Sequence, residues 1–105
     1  MTVRGAFDVA AATAGIDTPL DAGVDAIVGP ASSGIALAAL DGILDAGLLA
    51  CSPSASALRL DDFPDDDTLF FRTIPSDSLQ AAAIADVVEN TGARETVVVH
   101  VDDAY

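Results

Sequence analysis

Three serines carry the chemistry this chain could do. Ser33 lies in Gly29-Pro30-Ala31-Ser32-Ser33-Gly34, a small-residue turn between the apolar run Ala26-Ile27-Val28 and a helix-like stretch. Ser54 and Ser56 lie in Ser52-Pro53-Ser54-Ala55-Ser56, which follows the next apolar run, Leu48 to Cys51. Unpaired backbone N–H groups at the start of a helix attract anions. Hydroxyls, carbonyls and N–H groups together can hold a zwitterion, with donors on its carboxylate and carbonyls on its ammonium. The plainer reading is that Ser32-Ser33 caps the helix and Ser52-Pro53 forms an ordinary turn.

Other residues admit other chemistry. Ser33, His100 and Asp103 could form a hydrolase triad, but no Gly-x-Ser-x-Gly elbow presents the serine. His100 sits in a buried-looking strand and reads as a structural histidine. Asp61, Asp62, Asp65, Asp66 and Asp67 crowd around Phe63-Pro64 but lack the spaced calcium-loop pattern. They read as a solvated acidic loop. Arg72 pairs with a neighbouring aspartate or lines the mouth of a cleft, and Arg4 and Arg94 read as surface charges. Cys51 has no second cysteine to pair with and reads as a buried, inert thiol.

Composition removes whole classes of function. The 105 residues hold 17 acidic and 4 basic side chains, for a net charge of −13. Nucleic acid and anionic membranes both need basic patches, so neither is an expected partner. All the basic residues are arginines. The phosphate loop and Schiff-base chemistry, which need lysine, are therefore excluded. Such an acidic surface suits a salt-rich source, where screening relieves self-repulsion, and equally a GC-rich genome that favours Asp codons. With 51% apolar residues the chain is too hydrophobic for disorder. No apolar run is long enough to span a bilayer. Thr2 to Gly5 leads into a helical pattern, so a leader for export would have to precede this chain.

These residues must be held by elements that the apolar pattern predicts. A helix is expected over residues 5–14, stopped by Gly15, with a loop from Thr18-Pro19 to Gly23. Ala26 to Val28 is a strand. Ile35 to Ala46 is a helix with Leu37, Leu40 and Leu44 on one stripe and Gly47 as its stop. Strands follow at Leu48–Cys51 and Leu69–Thr73, with residues 53–68 irregular between them. Pro75-Ser76-Asp77 opens a helix to about Asn90, closed by Gly92, and Thr96–Val101 is a last strand. This α-β-α-β-β-α-β order implies an α/β fold, a three-layer parallel sheet flanked by helices. Ligands of such sheets bind at the carboxyl ends of the strands, where both serine turns fall.

Taken in order, four segments resemble the type I periplasmic binding proteins, most closely the leucine/isoleucine/valine-binding branch of ABC importers. They are Gly29 to Gly34, Ser52 to Ser56, Phe71-Arg72-Thr73-Ile74-Pro75-Ser76-Asp77 with Gln80, and His100-Val101-Asp102-Asp103-Ala104-Tyr105. The resemblance implies a partial binding-protein fold with flavodoxin-like lobes, in which residues 1–75 belong to the first lobe and 76–105 begin the second. It implies a non-enzymatic protein without cofactor that binds an amino acid or similar small molecule and presents it to an ABC permease. Its location would be periplasmic or extracellular. It also implies that Ser33 meets the ligand carboxylate, Ser54 and Ser56 add backbone and hydroxyl contacts, and Tyr105 approaches from the second lobe. Ser56 stands where the family commonly has threonine, which keeps the hydroxyl. Members of that family are about three times longer, so the chain reads as a fragment with half of the cleft. A ligand-binding domain of a sensor or receptor is the alternative.

Overall fold

A computed structural model describes residues 9–99. Three short strands form one parallel sheet in the order β1 (Ala26–Val28), β2 (Leu49–Ser52), β3 (Phe70–Arg72). Each lies within a residue or two of the apolar run that predicts it. The register pairs Ile27 with Ala50 and Ala50 with Phe70, and it pairs Val28 with Cys51 and Cys51 with Phe71. Alternation along each strand therefore places Ile27, Ala50, Ser52 and Phe70 on one face and Val28, Leu49, Cys51 and Phe71 on the other.

Helix α2 (Ser33–Asp45) covers the first of these faces. Its buried residues are Ala36, Ala39, Leu40 and Ile43, spaced for one side of a helix. The expected stripe is thus turned by one position: Leu40 is fully buried, but Leu37 and Leu44 are only half-buried. Alanines at 36 and 39 have no bulk beyond Cβ and let the helix sit close to Ala50, which is also fully enclosed. Leu48, Ala55, Ala57 and Leu60 complete the core. Gly47 ends α2 with φ 72°, a left-handed conformation that side chains resist, while its N–H donates to the Leu44 carbonyl at 2.8 Å.

Helix α1 (Val9–Asp21) departs from expectation. It passes through Gly15 and Pro19 and removes the loop expected at Thr18-Pro19. Gly15 does not adopt a positive φ; the left-handed residue is Gly23, at 68°, beside a Val24 N–H that donates to the Pro19 carbonyl at 3.5 Å. A glycine stops a helix only when it takes that conformation, and α1 gains by continuing because it packs along α2.

Helix α3 (Asp77–Thr91) begins and ends where predicted, capped by Ser76 and closed by Gly92. None of its residues is buried. The helices thus cover one face of the sheet among the described residues, where covering on both faces was expected. Cys51 is correspondingly half-buried, not buried. Residues 96–99 form no strand, and Val97, Val98 and Val99 are 87%, 78% and 91% exposed. A β-branched run has strand propensity, but a strand needs a neighbour, and these residues pair with neither edge of the sheet. The rest of that expected strand lies outside the described residues.

Leu40→Ala should destabilise the fold by roughly 2–5 kcal/mol, because the packed α2–β2 interface cannot fully collapse around the void. Denaturant unfolding followed by circular dichroism measures it.

Candidate functional site

The parallel register brings three strand ends to one edge of the sheet. The ladder continues one step past the strands, with Gly29 N–H donating to the Cys51 carbonyl at 2.8 Å and Thr73 N–H to the Ser52 carbonyl at 3.1 Å. The turns after β1, β2 and β3 are therefore neighbours.

Serine hydroxyls fasten the first two turns together. Ser52 Oγ donates to the Pro30 carbonyl at 2.5 Å and accepts from Ala55 N–H at 3.0 Å. Ser54 Oγ donates to the Ala31 carbonyl at 2.7 Å. Ser33 Oγ accepts from Ala57 N–H at 3.2 Å. Ser33 and Ser52 are fully enclosed. Ser32, the residue at the N-cap position of α2, makes no side-chain capping bond. The serines expected to cap or to bind are thus largely occupied in joining one turn to the next.

Ser56 differs. The residue is 7% exposed, and its hydroxyl, which solvent reaches, has no protein partner among the described residues. It faces a hollow of about 400 Å³ whose other walls include Ile74, Pro75, Asp77 and Gln80. Backbone donors in this turn alternate. The N–H groups of Ala55 and Ala57 go to serine oxygens, whereas those of Ser54 and Ser56 have no protein acceptor among the described residues. Ser56, with an N–H and a hydroxyl that have no protein partner among the described residues, and the acidic Asp77 thus line a single hollow. Asp77 N–H also donates to the Ser56 carbonyl at 2.9 Å, so the two residues are tied through the backbone.

Arg72 and Asp61 brace this region. Arg72 Nη1 donates to the carbonyls of Ala57 at 3.2 Å and Ala55 at 3.5 Å, on either side of Ser56. Arg72 Nη2 pairs with Asp61 Oδ1, and Asp61 Oδ2 accepts from Ser76 Oγ at 2.7 Å. The Ser76 hydrogen bond and then the Arg72 guanidinium hold the Asp61 carboxyl below the ordinary value of 3.8. Of the two sequence readings of Arg72, the ion pair with a neighbouring aspartate is the one observed. In the rest of the acidic loop, Asp65 accepts from the N–H groups of Leu69 and Phe70 at 2.9 and 2.8 Å and so directs the chain into β3. No cluster suited to a metal ion occurs among the described residues.

A second hollow, about 440 Å³, lies between α1 and the end of β1 against Ile16, Ile27, Pro30 and Ile43. It is the larger of the two, and its walls also include Gly29, Ala31, Ser32 and Pro53 from both serine turns, but no ionisable side chain. The carboxylate, Asp77, is at the first hollow.

A family model described as the receptor family ligand binding region matches residues 3–105. The chain belongs to this family. The ligand-binding region is a type I periplasmic-binding-protein-like domain, and its three-strand parallel sheet with helices is consistent with part of that fold. No curated protein and no solved structure matches the chain. No helix among the described residues is long and apolar enough to cross a membrane.

Of the residues singled out from sequence, the structure brings Ser33 and the Ser54–Ser56 turn together. Tyr105, His100 and Asp103 lie outside the described residues. Asp77 and Gln80 were missed as walls of the site. In the sequence both belong to the segment from Phe71 to Gln80 that carries the resemblance, with Asp77 at a helix start, and the place of Asp77 beside Ser56 depends on the path from β3 into α3.

Ser33→Ala should cost about 1–3 kcal/mol, because it strands the Ala57 N–H in the interior. Ser54→Ala should cost less, since water reaches the Ala31 carbonyl it releases. Chemical denaturation of both variants tests this. Acid should act through Asp61. Its carboxyl is lowered by folding, so its contribution is present above 3.8 and is lost as pH falls through the folded value below that. The difference in melting temperature between the native chain and Asp61→Asn should accordingly vanish at low pH.

Proposed function

We propose that this ligand-binding region captures a small molecule with an amino-acid-like head in the hollow between the Ser54–Ala57 turn and the start of α3. The observation that carries this reading is the Ser56 hydroxyl, open to solvent and without a protein partner among the described residues, on a hollow that Asp77 also lines. Ser56 Oγ and N–H suit a carboxylate, and Asp77 suits an ammonium group. Ser33 and Ser54 contribute by holding the turn in place. Tyr105 closes over the ligand from a second lobe, as the resemblance implies.

The proposed role is that of the binding component of an ABC importer for branched-chain or related amino acids. It would work in the periplasm or outside the cell and hand its ligand to a permease. A sensor is the second reading, and the receptor description of the family favours it. Measuring uptake of the bound amino acid in cells lacking this protein separates the two. Loss of uptake marks an importer, and intact uptake marks a sensor.

Calorimetry of the full chain against the twenty standard amino acids tests the site. At least one should bind. Ser56→Ala and Asp77→Asn should each weaken that binding by roughly 1.5–3 kcal/mol, the worth of a hydrogen bond to a charged group. Ser56→Ala should leave the melting temperature almost unchanged, because no protein bond is lost. Binding by none of the twenty, or binding indifferent to both substitutions, refutes the assignment.

A further inference from the structure

Ser56 and Asp77 belong to a closed circuit of hydrogen bonds. Ser56 is joined to Asp77 by the Asp77 N–H bond to its carbonyl. The next residue back, Ser76, donates from Oγ to Asp61. Asp61 pairs with Arg72. Arg72 returns to the carbonyls of Ala55 and Ala57, which flank Ser56. Three consecutive carbonyls, at 55, 56 and 57, thereby accept from the segment that runs from β3 into α3. Arg72–Asp61 is the one ion pair among the described residues, although the chain carries 17 acidic groups. The Arg72 side chain is 16% exposed. Its planar fork can serve a carboxylate and two carbonyls at once, a geometry that a single ammonium cannot reproduce.

We propose that Arg72, Asp61 and Ser76 are positioning residues. Together they clamp the Ser56 turn to the first turn of α3 and set the separation between the Ser56 donors and the Asp77 carboxylate. Helix α3 buries no residue of its own. Its N-terminus is held to the site by this clamp and by the Asp77–Ser56 bond, without help from hydrophobic packing along the helix. The clamp bears on ligand capture through the site proposed above, but it exists whether or not a ligand is bound.

The test begins with the full chain free of ligand. Amide hydrogen exchange is followed at Ala57 and Asp77, and at Leu40 and Ile43 in α2 as reference. Asp61→Ala, Ser76→Ala and Arg72→Lys are compared with the native chain. Exchange at Asp77 should quicken at least tenfold in Asp61→Ala and in Ser76→Ala, and Ala57 should quicken in Arg72→Lys, with α2 unchanged. Ser76→Ala removes the Asp61 bond and the N-cap of α3 together, so it is read beside Asp61→Ala, which leaves the cap in place and keeps the experiment decisive if an Arg72 variant fails to fold. Uniform acceleration that includes α2 would show a merely structural role, and no acceleration would show no clamp; either overturns the proposal. The second arm is titration with the twenty amino acids. Asp61→Ala should weaken whichever binds the native chain by tenfold or more at a temperature where both chains are fully folded, and unchanged affinity would overturn positioning. If none binds the native chain, the proposed function fails, while the exchange result still decides the clamp.

Discussion

The structure depends on the bond from Ala57 N–H to the enclosed hydroxyl of Ser33. It joins a turn at the end of β1 to a turn at the end of β2 in a place that water does not reach. Buried backbone donors must find partners, and loops without regular structure supply few. Here a serine in the first turn of α2 supplies the acceptor. Ser52 does the same work one layer nearer the sheet, serving Pro30 with its proton and Ala55 with its oxygen. A hydroxyl can donate and accept at once and adds no charge. That property lets two polar loops pack into a core otherwise built of alanine, leucine and isoleucine.

The same economy explains the polarity of the site. Alternate N–H groups of the Ser54–Ala57 turn point inward to serine oxygens, which leaves the intervening ones facing outward. Turning the loop inside out would sacrifice the inner bonds, so the outward donors at Ser54 and Ser56 follow from the packing below them. Charge enters from the other side. The chain is strongly acidic, and a ligand group brought to Asp77 meets a negative field from the protein as a whole as well as from one carboxylate. Neutral donors can serve a carboxylate in that field because hydrogen bonds to an ionised acceptor are stronger than neutral ones. The sole paired cation of the described residues, Arg72, is turned towards protein carbonyls and Asp61 and away from this task.

Much of the fold was legible in short runs. Ala26–Val28 reads as a strand because three apolar residues stand between Asp25 and Gly29-Pro30, and Gly47 and Gly92 end their helices as local chemistry requires. The misreadings share one cause. Gly15 has the composition of a stop but not the conformation, because packing against α2 favours further helix. The leucines of α2 spell a stripe of their own, but a helix lying close to a sheet turns small residues inward, here Ala36 and Ala39 beside Leu40 and Ile43. Thr96 to Val99 has the composition of a strand, but composition cannot provide the neighbouring strand it needs.

From the order of residues alone came the parallel α/β architecture, the acidic and lysine-free surface, and the two serine-rich turns at the carboxyl ends of adjacent strands. These are local matters of periodicity, turn chemistry and charge. Which serine would remain available was settled only by the folded chain. The joining hydrogen bonds link residues 22 to 24 positions apart, and each commits a hydroxyl according to distances set by strand register and helix packing. Ser33, Ser52, Ser54 and Ser56 have the same side chain. Tertiary structure gives the first three protein partners and leaves the fourth without one among the described residues, because a hydroxyl's role is fixed by what lies within about 3 Å of it.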